Sequence, residues 1–445
     1  PPAPTETYTE TKSSAASDVY KRQVVAVDGT DVKGKSTSEV SKLLKGAAGT
    51  EVTVTIKRMG QETPLDFEIK RAQITLPNVP YYGLINENKG YVKLVEFTTE
   101  AGKDVKTAVQ NLKSAGATSI ILDVRGNPGG LLHEAVNICN VFIPKGKVVV
   151  ETKGKMTQWN QVYKTLNSAT DTKIPLVVLT SQGSASASEI VSGTIQDYDR
   201  GVLVGRRTFG KGLVQTTRPL GYNSQLKVTT AKYYIPSGRC IQALDYTHRN
   251  PDGSVGKIPD SLMVAFKTAN GRTVYDGGGV VPDIKVNEEY YSSLTISLLN
   301  KGLIFDYASL YAYEHPDVPD IQGFEISDQD YDEFVTWLDD KEYTYSSHLE
   351  SSIAALEDVA RKEDYLDQIQ DEIDLLKAEV AHNRAQDLIT FKPELKQLLS
   401  EQINGHYHYL KGEIAASLKY DSDVKAALEI LNDPMAYNTL LAQKK

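Results

Sequence analysis

The stretch "TSQGSASASEIVSG", Thr180 to Gly193, sets serines at 184, 186 and 188, directly before an apolar helical pattern. Ser186 stands three residues before Glu189, and Ser-x-x-Glu is the spacing of a capping box. A serine at a helix start also has unpaired backbone N–H groups and the positive end of the helix dipole beside its oxygen, a setting that would stabilise the oxyanion formed by nucleophilic attack. Position alone leaves cap and nucleophile both open, and no histidine lies nearby to take a proton.

A second stretch, "VLVGRRTFGKGLVQ", contains Gly205-x-x-x-x-Gly210-Lys211. A phosphate-binding loop needs a Ser or Thr after the lysine to hold Mg²⁺ and a helix beyond it to receive the phosphates. Here Gly212 follows, and then the strand-like "LVQTTRPL". A nucleotide hydrolase is therefore the weaker reading, and a glycine turn with a solvated lysine the plain one. A third stretch, "IILDVRGNPGGLLHEAV", runs from an apolar strand through Gly126-Asn127-Pro128-Gly129-Gly130 into a helical pattern. Glycines after a parallel strand turn backbone N–H groups toward the C-terminal edge of the sheet, where ligands bind in such folds; a tight turn accounts for the same residues. His133-Glu134 lacks the second histidine of a zinc protease motif, and the other histidines do not recur at ligand spacing. No metal and no cofactor is expected.

The elements that must position these residues can be read from periodicity. Residues 1–22 are polar and without period, the pattern of a disordered leader or of an added non-native stretch, outside any fold. Residues 23–75 read as a small β-rich module: a strand, an Asp-Gly turn, a short helix capped near Ser36 or Thr37, an alternating strand from Glu51 to Arg58 and another strand. Over residues 76–286 strands alternate with helices: Gly90–Phe97, a helix from Ala101 to Ser114, "TSIILDV", a helix from Leu131, "PLVVLT", and a helix from Ala187. That alternation predicts an α/β unit with buried, largely parallel strands, turning to strands alone after Tyr198. Residues 287–445 are acidic and helical, with Leu366, Ile369, Ile373, Leu376 and Val380 stepping by three and four as the seam of a packed helix or a short coiled-coil pair.

Composition narrows the function. At 445 residues the chain is long enough for two or three domains, and its net charge of −9 offers no basic excess to displace counterions. Nucleic acid and anionic membrane are disfavoured, leaving peptides or small molecules. Cys139 and Cys240 fit neither a disulfide framework nor a zinc spacing, no apolar run approaches a membrane span, and "PPAPTETYTETKSSAASDVYKRQ" holds no apolar signal-peptide core.

Taken together, "GSASASEI", "TFGKGLVQ", "LDVRGNPGG" and "YYIPSGRCIQ" resemble the core motifs of the carboxyl-terminal processing, or tail-specific, serine proteases, which carry a PDZ domain. The resemblance covers roughly Val24 to Val286. It implies an α/β multidomain fold: a serine-protease core of crotonase-like ββα units, a partial PDZ module before it and a helical region after it. It implies Ser186 as nucleophile, Lys211 as general base, Gln215 as the residue supporting the base, and an oxyanion hole from the Ala187 amide with one from Gly129 or Gly130. Without the resemblance, Gln215 is one polar residue on a half-exposed strand. The implied activity is cleavage of exported proteins near apolar C-terminal tails, in the periplasm or another extracytoplasmic compartment, with the helical region packing on the core or on a second copy. A non-catalytic tail-binding scaffold of the same fold is the rival. One departure stands out. The carboxylate-binding loop and partner strand of a PDZ domain should precede Val24, and "SSAASDVYKRQ" does not look like them.

The proposed base sets a chemical condition. A lysine accepts a proton only when neutral, and at the reference pKa of about 10.4 roughly one in a few thousand is neutral at pH 7. Burial in a packed cleft is the means by which an ammonium is brought to about pKa 7–8, a shift of on the order of 3–5 kcal/mol. The flanking Gly210 and Gly212 leave room for close backbone approach.

Overall fold

Short apolar runs bounded by turn residues build the centre of the molecule. The computed structural model describes residues 24–58, 63–74, 76–222, 224–346, 348–380 and 384–442. These fall into two compact units, one of Leu76–Glu288 with Leu418–Lys445, the other of the residues before Leu76 with Glu289–Ser417.

In the second of these units, strands β1 (Val24–Val27), β2 (Thr30–Asp31), β3 (Glu51–Ile56) and β4 (Leu65–Lys70) form one sheet in the order β2-β1-β3-β4. Helix α1 (Thr37–Leu44) starts at Ser36, whose hydroxyl and the Glu39 carboxylate make a reciprocal capping box. Val24, Val27, Val32, Val40, Val52 and Val54 fill the small core. The front of the PDZ module expected before Val24 lies outside the described residues.

The α/β unit holds β5 (Tyr81–Ile85), β6 (Lys89–Lys93), α2 (Ala101–Ser114), β7 (Ser119–Asp123), α3 (Leu132–Phe142), β8 (Val148–Lys153), β9 (Gln161–Lys164), β10 (Leu176–Thr180), α4 (Ala187–Asp197) and β11 (Val202–Gly205). It continues through β12 (Leu213–Pro219), β13 (Gln225–Tyr234), the hairpins β14–β15 (Leu244–Arg249, Val255–Lys257) and β16–β17 (Ala265–Lys267, Thr273–Tyr275), and β18 (Ile284–Lys285). The main sheet has the order β18-β11-β10-β7-β6-β5, parallel except where β5 turns back on β6. Every residue of β7 and β10 is buried, as strands covered on both faces must be. All of α4 is buried too, so even its Ser188, Glu189, Ser192 and Thr194 must find partners inside. A second sheet runs β12-β13-β8-β9.

The helical part comprises α5 (Ser293–Lys301), α6 (Leu303–Glu314), α7 (Asp328–Trp337), α8 (His348–Lys362), α9 (Leu366–Val380), α10 (Arg384–Thr390) and α11 (Lys392–Ser417). Its core gathers Leu298, Ile304, Tyr331, Phe334, Leu399 and Ile403. The expected seam falls on α9, which pairs with α8; Ile373 is buried and Leu376 exposed, so only part of the seam is covered within the chain. Within the region 287–445 read as helical, α12 (Ser422–Asn432) and α13 (Pro434–Leu441) group with the α/β unit. Helix α12 packs on β10 and β11, and the Tyr437 hydroxyl donates to the carbonyl and accepts the N–H of Leu176 at 3.1 and 2.9 Å. The local pattern of a helix does not encode which sheet it covers.

Candidate active site

Strands β7, β10 and β11 are parallel neighbours, so the loops leaving their C-terminal ends emerge side by side. The first carries Gly129 and Gly130, the second Ser186, the third Lys211. Three stretches separated along the sequence meet at one sheet edge.

Ser186 sits at the N-terminus of α4 with φ 55° and ψ −110°. A non-glycine residue held there stores on the order of 1–3 kcal/mol of backbone strain. The capping-box geometry with Glu189 is present, yet the serine hydroxyl takes no cap hydrogen bond: the Glu189 N–H donates to the Ser186 carbonyl at 2.9 Å, and the Glu189 carboxylate accepts the Ser186 N–H at 2.9 Å. The two neighbouring serines are committed elsewhere. Ser184 is buried and donates to the Val124 carbonyl at 2.8 Å; Ser188 is buried and donates to the Asn127 carbonyl at 2.9 Å. Both hydroxyls tie the serine loop to the glycine loop, which leaves Ser186 as the reactive candidate. Its hydroxyl is reached by the phenol of Tyr233 on β13, a group that burial holds above its ordinary pKa against the effect of that bond.

The glycine loop is organised by Asn127, fully buried, whose side chain donates to the Leu94 carbonyl at 3.0 Å and accepts the Gly129 N–H at 2.9 Å. Its backbone carbonyl accepts the Ala185 N–H at 3.0 Å. Gly129 has φ 99°, and a Cβ there would stand 2.7 Å from the Ala185 carbonyl oxygen and 2.9 Å from the Ala187 nitrogen, so only glycine fits against the serine loop. Of the two glycine amides expected in the oxyanion hole, that of Gly129 is therefore occupied. Those of Gly130 and Ala187 have no partner among the described residues.

A residue read from sequence only as a helix cap binds the site together. Glu189 is fully buried, and its carboxylate accepts four hydrogen bonds: Thr208 hydroxyl at 2.5 Å and Gly210 N–H at 2.7 Å on one oxygen, Ser186 N–H at 2.9 Å and Lys211 N–H at 2.7 Å on the other. Burial pushes its pKa up, opposed by those donors. The serine and lysine backbones thus share one oxygen. Every partner is a donor, so an amide in its place would aim an NH₂ at N–H groups. Glu189→Gln is expected to lower kcat by on the order of 10²-fold, the size of effect a displacement of about 1 Å produces, and to cost about 1–3 kcal/mol per unpaired buried group. Steady-state kinetics beside a thermal melt check both.

The Lys211 side chain is exposed, with no side-chain hydrogen bond or ion pair among the described residues. The burial that general-base chemistry requires of a lysine is absent in this conformation. Gln215 lies on β12, exposed, opposite Thr229, with no side-chain hydrogen bond among the described residues. After Lys211 comes a strand and not a helix, which removes the structural basis of a phosphate loop. His133 is exposed beside Glu134, and among the described residues no group of three His, Cys, Asp or Glu side chains gathers as metal ligands would.

Residues 88–252 match peptidase family S41, and residues 294–431 match a family described as "Probable PDZ-protease, C-terminal helical domain". Over 225 residues the chain is 40% identical to a carboxy-terminal-processing protease of Bartonella bacilliformis, covering 50% of this chain and 51% of that one. Over 226 residues it is 41% identical to a Staphylococcus aureus protein named "Probable CtpA-like serine protease", covering 50% and 44%. The chain spans about half the length of these relatives. Among solved structures, a photosystem II D1 C-terminal processing protease aligns at 28% identity over 59% of this chain and 62% of that chain, with a TM-score of 0.37. Among the described residues no helix is long and apolar enough to cross a membrane.

Proposed function

We propose that this chain, which belongs to peptidase family S41, is a serine endopeptidase in which Ser186 attacks the scissile carbonyl and Lys211 takes its proton. The observation that carries the reading is Ser186 itself: of the three serines it alone keeps its hydroxyl from a backbone carbonyl, and it is held in a strained turn before Ala187, whose amide, like that of Gly130 in the neighbouring loop, has no partner among the described residues. In the reaction a neutral Lys211 amine accepts the hydroxyl proton as the bond to the carbonyl carbon forms. The negative oxygen is received by the two amides, the protonated amine gives its proton to the leaving nitrogen, and water clears the acyl-enzyme. Glu189 already holds the two backbone N–H groups on one oxygen, and in this reading the lysine side chain turns inward from there. Gln215 is the residue to orient it there. The substrates are exported proteins cut near apolar C-terminal tails, in an extracytoplasmic compartment, with the module at 24–70 engaging the tail and assembly running through the helical region. The name of one relative, a carboxy-terminal-processing protease, supports cleavage near a C-terminus.

A tail-binding scaffold without catalysis is the second reading, and the exposed Lys211 favours it. One experiment separates the two. An unfolded protein with an apolar C-terminal tail is incubated with the wild type and with Ser186→Ala, and the products are read by mass spectrometry. Fragments ending near the tail with the wild type alone support the peptidase; binding of the tail without fragments would establish the scaffold. Chelators should leave the cleavage rate within about twofold, and ATP should not be needed, because the dyad uses only side chains and amides. Complete loss on chelation, restored by zinc, would overturn the dyad.

A further inference from the structure

The edge where β7, β10 and β11 end carries more than the three loops. Beside it lies an ion cluster of three acids, Asp123, Asp421 and Asp423, and three bases, Lys93, Arg125 and Arg206. Asp123 is fully buried and is held by Arg125 at 2.6 Å, by Lys93 at 3.1 Å and by the Tyr91 hydroxyl at 2.6 Å. The other two acids come from the returning C-terminal segment, at the start of α12. Asp421 meets Arg125 at 2.7 Å. Asp423, 1% exposed, uses a single oxygen for both Arg125 at 2.8 Å and Arg206 at 3.2 Å.

The two arginines are not arbitrary anchors. Arg125 directly precedes the Gly126–Gly130 loop. Arg206 opens the segment that leads to Thr208 and Lys211, and its backbone is sewn to the end of the serine strand, donating its N–H to the Thr180 carbonyl and accepting the Thr180 hydroxyl, each at 2.9 Å. The other oxygen of Asp423, Oδ1, has no hydrogen-bond partner among the described residues. A buried carboxylate left half-satisfied costs free energy, and the two guanidiniums are what offset it.

We propose that Asp423, assisted by Asp421, is a positioning residue for catalysis: the C-terminal helix α12 sets the spacing between the oxyanion loop and the lysine loop by holding Arg125 and Arg206 on one carboxylate. The inference rests on the Ser186–Lys211 reading, and it assigns a catalytic consequence to residues some 300 positions from the loop they hold. Without the shared carboxylate, Arg125 keeps Asp123 and Asp421 while Arg206 loses its tie to Arg125, and the loops the two arginines lead into move apart. A shift of about 1 Å between reacting groups is worth on the order of 10²-fold in rate.

The test measures kcat and KM on a tailed peptide, the rate at which a fluorophosphonate labels Ser186, and the melting temperature, in the full chain. The variants are Asp423→Asn, Asp421→Asn and Arg125→Lys, with the exposed Glu429→Gln on the same helix as control. Asp423→Asn is expected to lower kcat and the labelling rate together by tenfold or more with KM within about twofold, while Glu429→Gln changes neither. Asp421→Asn, at a partly exposed site, should show the same split at smaller amplitude, and it decides the matter if Asp423→Asn does not fold. A folded Asp423→Asn or Asp421→Asn with native kcat, or a kcat that falls only in proportion to the folded fraction, would overturn the proposal. If the wild type itself neither cleaves nor labels, the dyad reading and this inference fall together; wild-type labelling with native kcat in the variants removes this inference alone.

Discussion

Ser186→Ala is expected to remove turnover by on the order of 10⁶-fold in kcat, because nucleophile and base act as a unit and what remains is binding plus the oxyanion hole. The companion variants give the result its meaning. Ser184→Ala and Ser188→Ala each delete a buried hydroxyl that donates to a carbonyl of the glycine loop, so each should cost about 1–3 kcal/mol of stability while most turnover is retained. A helix-capping role for Ser186 would add a loss of about 0.5–2 kcal/mol on its replacement. The geometry argues for less, since the Glu189 N–H has the Ser186 carbonyl as its acceptor. An inactive Ser186→Ala protein should therefore melt close to the wild type. Near-native turnover in that variant would refute the assignment outright, and a large drop in melting temperature would mean that the hydroxyl is structural.

Lys211 offers the second test, and here the side-chain chemistry separates two roles. Lys211→Ala removes the amine. Lys211→Arg keeps the positive charge but cannot give it up near neutral pH, because a guanidinium has a pKa above about 12. If the residue serves charge or shape, the arginine variant works; if it is the base, both variants lose roughly 10²–10⁴-fold or more. The wild-type rate should also rise with pH through a single ionisation, since only the neutral amine accepts the hydroxyl proton. A near-native Lys211→Arg enzyme, or a rate flat from about pH 6 to about pH 9, would move the proton acceptor elsewhere. If Lys211 is the base, its side chain, exposed in the conformation described, turns inward as substrate binds. Chemical modification of Lys211 should accordingly be fast in the free protein and slowed by a bound tailed peptide.

Much of this site is legible in local residue patterns. The runs "SIILD" and "LVVLT" are short, continuously apolar and bounded by turn residues, which is how doubly covered parallel strands must look. The helix start at Ala187 announces itself by the Ser-x-x-Glu spacing, and the strand after Lys211 by its β-branched run. Each of these signals is carried by residues within a few positions of one another, and the backbone period turns it directly into geometry.

Other features depend on groups whose partners lie far away along the chain, and these emerge only from packing. Glu189 is the same glutamate whether it caps a helix at the surface or accepts four bonds in the interior; Thr208, Gly210 and Lys211, about 20 positions on, make the difference. Asn127 reads as a turn residue until its side chain is seen to take the Gly129 amide. Helices α12 and α13 follow the helical region in sequence and belong to the other unit in space, where Asp423 meets Arg125 across 298 positions. Periodicity has no means of recording such pairings. A buried carboxylate costs several kcal/mol unless donors and cations converge on it, and that convergence is a property of how the strands and helices pack.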